Sequence, residues 1–276
     1  SGIKLMEYQQ IINLIENKKF IDAEKLIKEQ LKLKENYKLY NLLGITLNYK
    51  NEKLEALKAF QKTIEINNTF IPAFKNIAFI HLENENYEEA INSYEIIIKN
   101  NSNNINDYNN LAIIYDKVGK KEMALNNINK ALKINNNSDI TYHNLGVIIY
   151  NKKDKETYKD ALSAFKKSIK INPQNFNSNH LLGEIYNKLG KFDHAIKYLT
   201  KAIILNKERF EIYFLLGDSY AKKNQYEESI IHFKKAINLS PNHKGYNSIG
   251  NALVNLRKEE DAIEYYFKAL NEIDNT

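Results

Sequence analysis

Cysteine and tryptophan are absent from the 276 residues, proline occurs three times and glycine nine times. Without cysteine there is no disulfide framework, no thiolate metal site and no cysteine nucleophile. Arginine is almost missing: only Arg209 and Arg257 stand among 40 basic residues. Bidentate recognition of phosphate or guanine favours arginine, so a dedicated nucleic-acid face is not expected. No apolar run reaches the roughly 18–20 residues of a membrane span. A chain 27% charged and 43% hydrophobic is neither a disordered tail nor a membrane protein. Also missing are the G-x-x-x-x-G-K-[ST] phosphate loop, the G-x-S-x-G elbow, the H-E-x-x-H zinc helix and a strand-linked G-x-G-x-x-G. No catalysis, cofactor or metal is expected.

What is present is lysine, glutamate and asparagine. Lys+Arg 40 against Asp+Glu 34 leaves +6, with a pI near 9.0. The two signs are interspersed along the chain, and asparagine occurs 41 times. Such a bias reads as AT-rich coding and accounts for most of the basic excess. Ser1-Gly2 reads as an expression scar, and charged residues recur from Lys4 onward, so no secretory leader is expected. The lack of cysteine fits the cytoplasm.

Two internal rhythms organise the chain. Small residues recur inside apolar stretches at Gly44, Ala78, Ala112, Gly146, Gly183, Gly217 and Gly250, in steps of 34, 34, 34, 37, 34 and 33. A second series, Ala56, Ala90, Ala124, Ala161, Ala195, Ser229 and Ala262, follows 12 residues behind in every repeat but one. From Gly146 to Ala161 the offset is 15, which places three inserted residues within 151–159. Counting back, Ala23 precedes Ala56 by 33, and Ile11 takes the glycine slot. Eight repeats result, at about 4–36, 37–70, 71–104, 105–138, 139–175, 176–209, 210–242 and 243–276, forming one domain over 3–276.

Each repeat predicts two helices. Apolar residues fall at helical spacing around the first anchor (Tyr213, Leu216, Gly217, Tyr220) and around the second (Ala161, Phe165, Ser168). Polar turns such as Val118-Gly119-Lys120, Leu189-Gly190-Lys191 and Lys223-Asn224-Gln225 separate the helices. Asn67-Asn68, Asn100-Asn101, Asn135 to Asn137, Asn172-Pro173 and Ser240-Pro241 separate the repeats, asparagine stopping helices through its tolerance of the left-handed region. A glycine inside a helix costs about 1 kcal/mol relative to alanine. Its regular return implies a close approach in which a ring of the second helix seats against the first. Stacked pairs then bury a continuous core.

These spacings and residue types resemble the tetratricopeptide (TPR) family. Tyr40, Phe74, Tyr108, Tyr142, Tyr213 and Tyr246 match its first aromatic slot. Phe60, Tyr94, Phe165, Phe233 and Tyr266 match its second-helix aromatic, and Pro173 and Pro241 its closing proline. Asn179 departs at the first aromatic of repeat six. Glu7 and Ile11 depart in repeat one, consistent with an N-terminal cap. The resemblance implies an all-α, right-handed superhelical solenoid whose first helices line a concave groove that binds a peptide or partner protein.

Carried over slot by slot, the position after the small anchor holds Ile12, Ile45, Phe79, Ile113 and Val147, then Glu184, Asp218 and Asn251. Two before the anchor stand Asn76, Asn110 and Asn144, amides able to clasp a peptide backbone as donor and acceptor. Asn41, Lys75, Asn109, His143 and His180 are further groove polar groups. Glu184 and Asp218, with Glu211, would attract a basic continuation. The competing reading is that the stripe packs helix on helix, in a chain where asparagine is everywhere. The family's clamp for acidic chaperone tails is absent: four residues after Lys75 stands Phe79, not asparagine, and no groove slot holds arginine.

The histidines read blandly. His143 and His180 are expected to be solvated in the groove, His81 half-buried, and His194, His232 and His243 at the surface. Glu88-Glu89, Glu227-Glu228 and Glu259-Glu260-Asp261 open second helices, where acids suit the helix dipole. Tyr266 fills a core slot, whereas Phe267 and Leu270 face where a following helix would lie. Two readings stand: a piece cut from a longer protein, or self-association through Tyr265, Phe267 and Leu270. The function expected is a non-catalytic scaffold or adaptor. The alternatives are a substrate-recruiting arm resembling that of O-linked N-acetylglucosamine transferase, or a self-associating assembly unit. RNA binding is disfavoured by the 34-residue step.

Overall fold

Apolar residues at helical spacing and polar caps give sixteen α-helices among the described residues, which in this computed structural model are 5–100 and 102–275. Ser1, Gly2, Lys4 and Asn101 lie outside them. Contacts divide the chain into two compact units, Ser1–Ile134 and Asn135–Thr276, where repeat spacing alone suggests one domain. The first unit holds α1 (Leu5–Glu16), α2 (Phe20–Leu33), α3 (Tyr37–Tyr49), α4 (Lys53–Ile66), α5 (Ile71–Glu83), α6 (Tyr87–Lys99), α7 (Ile105–Lys117) and α8 (Lys121–Ile134). The second holds α9 (Asp139–Ile149), α10 (Tyr158–Ile171), α11 (Phe176–Lys188), α12 (Phe192–Leu205), α13 (Phe210–Lys222), α14 (Tyr226–Leu239), α15 (His243–Asn255) and α16 (Glu259–Asp274). No strand occurs among the described residues.

The two helices of a repeat pack along each other, and the second also packs on the first helix of the next repeat: α2 on α3, α4 on α5 and α6 on α7, then α10 on α11, α12 on α13 and α14 on α15. This double use of second helices makes each unit a solenoid, with helix pairs that share one core. The glycine expectation holds in atomic detail. A methyl added to Gly44, Gly146, Gly217 or Gly250 would fall 2.5–2.6 Å from a ring carbon of Phe60, Phe165, Phe233 or Tyr266. In repeat six Leu199 takes the ring's place against Gly183. In repeat one Ile11 fills the slot itself and packs in one cluster with Ile27.

Asparagine acts differently from expectation. The left-handed residues are Lys18, Asn51, Glu85, Gly119, Gly190, Asn224 and Arg257, one in the turn within each repeat except the fifth. Between repeats the backbone of Asn67, Asn172 and Asn206 is extended. There the side chain stops the helix by closing a local turn. Oδ1 of Asn67, Asn135, Asn172 and Asn206 accepts the backbone N–H two residues on, at 2.9–3.1 Å. Asn36, Asn104, Asn175 and Asn242 then cap the following first helices. Asn179, which breaks the aromatic pattern, is fully buried and donates to the Pro173 and Asn175 carbonyls, tying the loop before α11 to the helix.

The insertion shortens α9 and adds a 3₁₀ turn, Lys155–Thr157. This loop is latched to the next repeat. The Tyr150 hydroxyl donates to Glu184 at 2.9 Å, Lys152 pairs with Glu184 at 3.1 Å, and the Tyr158 hydroxyl donates to the Lys152 carbonyl at 2.7 Å.

Candidate peptide-binding surface

In the first unit the slot after the anchor is apolar and partly open. Ile45 leans on the core, Ile113 is half-buried, and Phe79 is 54% exposed. Beside them Asn76 donates to Oδ1 of Asn41 at 3.2 Å, and Asn110 donates to the Tyr94 hydroxyl at 3.1 Å. Both amides are thus oriented by a neighbour through Nδ2, which leaves each Oδ1 as an acceptor for an incoming N–H. Asn110 is exposed and Asn76 half-exposed. Sequence reasoning had no signal for these bonds, because Tyr94 and Asn41 are distant in the chain.

The slot three before the anchor points inward. Asn41 and Asn109 are buried, and Lys75 pairs at 3.5 Å with buried Asp107. Asp107 also accepts from the Ser102 hydroxyl at 2.6 Å. Asn41 and Lys75 thus join neighbouring first helices, through Asn76 and Asp107, with the Lys75 side chain still partly open to solvent.

In the second unit Asn144 and Val147 are half-buried, Val147 against the core. His143 and His180 are half-buried where open groove positions were expected. Burial lowers the His143 pKa to about 4, and burial lowers that of His180 as well. The His143 ring lies 5.5 Å from that of Phe165. Its Nδ1 is 2.9 Å from the Ser178 hydroxyl, which itself donates to Ser168 at 2.8 Å. The His143 ring and the two serine hydroxyls thus form one hydrogen-bonded chain across α9, α11 and α10. His232 also departs from expectation: it stacks between Tyr213 and Tyr220, and burial lowers its pKa. His194 and His243 are exposed and His81 half-buried, as expected.

Glu184 is largely enclosed and already neutralised by Lys152, and Glu211 pairs with Arg209 at 3.4 Å. Of the three acids expected to attract a basic segment, half-exposed Asp218 carries no ion pair among the described residues. At the chain's far end Tyr265 packs in the core beside Phe233, while Phe267 and Leu270 are 63% and 54% exposed. No group of three His, Cys, Asp or Glu that could hold a metal ion occurs among the described residues. No described helix is long and apolar enough to cross a membrane.

The chain matches the tetratricopeptide-repeat family profile over residues 108–138 and 243–273. The profile of anaphase-promoting complex, cyclosome, subunit 3 matches over 154–236. A search of curated proteins returns no match. Among solved structures, a tetratricopeptide repeat protein from Parabacteroides merdae is similar at 17% identity, covering 96% of this chain and 98% of that one, with a TM-score of 0.66. The Cut9-Hcn1 hetero-tetramer of the APC/C is similar at 20% identity over 91% of this chain and 46% of that one, with a TM-score of 0.63. MamA from Desulfovibrio magneticus is similar at 21% identity over 62% and 96%, with a TM-score of 0.57. The matched segments contain glycine and alanine anchors, and the helix pairs close on those anchors. The chain belongs to the tetratricopeptide-repeat family.

Proposed function

We propose that this repeat scaffold captures an extended peptide on the first-helix face of its first unit. Asn76 and Asn110 accept backbone N–H groups, and Ile45, Phe79 and Ile113 receive apolar side chains. The observation that carries the reading is the pairing of two pre-oriented amides with an open ring: each Oδ1 remains available, and Phe79 is 54% exposed. Asn144 and Val147 offer the same chemistry in the second unit. The assembly of Cut9 with Hcn1, one chain of which has a similar fold, supports protein binding as the class of function. A substrate-recruiting arm of a larger enzyme would use the same face.

Each backbone hydrogen bond contributes about 1 kcal/mol, so losing two weakens binding by roughly thirtyfold. Peptides selected on the intact protein from a random library of about 12-mers provide the probe, and calorimetry on the Asn76→Ala/Asn110→Ala variant provides the test. The circular dichroism spectrum is expected to stay unchanged. Affinity within twofold of the parent would sink the amide reading.

A further inference from the structure

Acidic and basic residues alternate along the sequence, but the fold sorts them along the second helices of the second unit. Asp160, Asp193, Glu227 and Glu228 occupy the first turns of α10, α12 and α14. From Ala161 to Ile171, from His194 to Leu205 and from Ser229 to Leu239 there is no acid. Lysines fill those stretches: Lys166 and Lys167, Lys197 and Lys201, Lys234 and Lys235. Lys167, Lys201 and Lys235 share one register, 34 residues apart. Lys201 is half-exposed and the other five are exposed. None of the six has an ion pair among the described residues, whereas Lys268 pairs with Glu264.

Four of the lysines also lie over tyrosine rings of other helices. The ammonium of Lys167 stands 5.6 Å over the Tyr142 ring, and that of Lys235 stands 5.8 Å over Tyr213; both pairs join the two helices of one repeat. Lys166 and Lys234 reach to the next repeat, over Tyr186 at 5.6 Å and Tyr265 at 6.0 Å. Beside α14, Lys234, Lys235, Pro241 and Tyr246 border a hollow of about 570 Å³.

We propose that this lysine surface binds an acidic polypeptide segment in extended form, separately from the first-helix face. Six ammonium groups without an ion pair, of which Lys234 alone shares a hollow with carboxylates (Glu227, Asp261 and Glu264), make a positive field that an acidic chain neutralises. α10, α12 and α14 are joined through the first helices α11 and α13 on which they pack. An extended chain rising about 3.3 Å per residue with an acid at every third residue brings a carboxylate within reach of each rung. Nucleic acid fits less well, because the tyrosine faces are covered by ammonium groups and so closed to base stacking, and the ladder holds no arginine. A bilayer surface is flat and leaves the hollow beside Lys234 empty, where a glutamate side chain can enter.

The test is fluorescence anisotropy with a labelled Glu-Gly-Ser repeat peptide. Binding is expected at low salt and falls at least tenfold when the screening length shrinks from about 10 Å to a few Å. The variant Lys167→Gln/Lys201→Gln/Lys234→Gln/Lys235→Gln should bind at least tenfold more weakly, with its helical dichroism unchanged. Lys62→Gln/Lys130→Gln in the first unit should bind as the parent does. Three results each overturn the proposal: no binding by the parent at low salt, equal loss in both variants, or unchanged affinity in the fourfold variant. Tighter binding by the parent to oligo-deoxythymidine or to phosphatidylserine vesicles than to the peptide also overturns it, assigning the surface to nucleic acid or lipid.

Discussion

At His143 the surroundings decide the protonation state. Packed beside Phe165 and hydrogen-bonded to Ser178, the imidazole has its pKa lowered from 6.5 to about 4, burial being the main cause. The unfolded chain therefore binds a proton between pH 6.5 and 4 that the folded chain refuses. Stability from this residue is intact above pH 6.5 and is lost as pH falls towards about 4, by roughly 3 kcal/mol in all. His143→Gln should flatten the urea midpoint over that interval relative to the parent. An identical pH slope in the two proteins would remove His143 as its source. The sequence placed this histidine on a first helix but could not show its burial, because Ser178 and Ser168 come from other helices. The glycine–ring pairs were readable, since Gly217 and Phe233 recur with their neighbours at fixed offset and need only a helix hairpin to meet.

Among the elements, the turns inside repeats show which local rules are obligatory. Seven of them place one residue at φ between 58° and 81°, and the occupants range from Gly119 to Glu85 and Arg257. A side chain there costs roughly 1–2 kcal/mol, against about 0.4–1 kcal/mol for the extra freedom glycine has when unfolded. Glu85→Gly and Arg257→Gly should each raise stability by about 0.5–1 kcal/mol, and Gly119→Ala should lower it by a similar amount, read as shifts in the denaturation midpoint. The sequence marks Val118-Gly119-Lys120 and Lys223-Asn224-Gln225 as polar turns, but not the left-handed residue at their centre. The role of asparagine between repeats was not legible. Asn67, Asn135 and Asn172 stand at repeat junctions in the sequence, but the pattern does not show that they, with Asn206, close the same turn through Oδ1.

For the whole molecule, periodicity reveals the repeats but not how contacts group them. The second unit has its own cores, one from Tyr158 to Leu216 and one joining Phe233, Ile249, Leu253 and Ala262. Helix-pair arrays of at least about three repeats bury enough surface to fold, and this unit has four. Residues 135–276 produced alone should keep their helical dichroism and unfold in one urea transition. A chain that stays unstructured would show that its cores depend on residues before Asn135. Charge is the property that sequence inspection reads least well here. Mixed signs along the chain become separated on α10, α12 and α14, because acids gather at helix starts and lysines follow on the outward side.

The loop after α9 bears on how such a gene can change length. Three extra residues enter repeat five, yet the next anchors, Gly183 and Ala195, resume their offset of 12. Tyr150, Lys152 and Tyr158 fasten the added loop to its own repeat and to Glu184 in the following one. Codons gained at that edge lengthen a margin and leave the downstream frame of contacts undisturbed, so lineages can diversify there while inheriting the same spine.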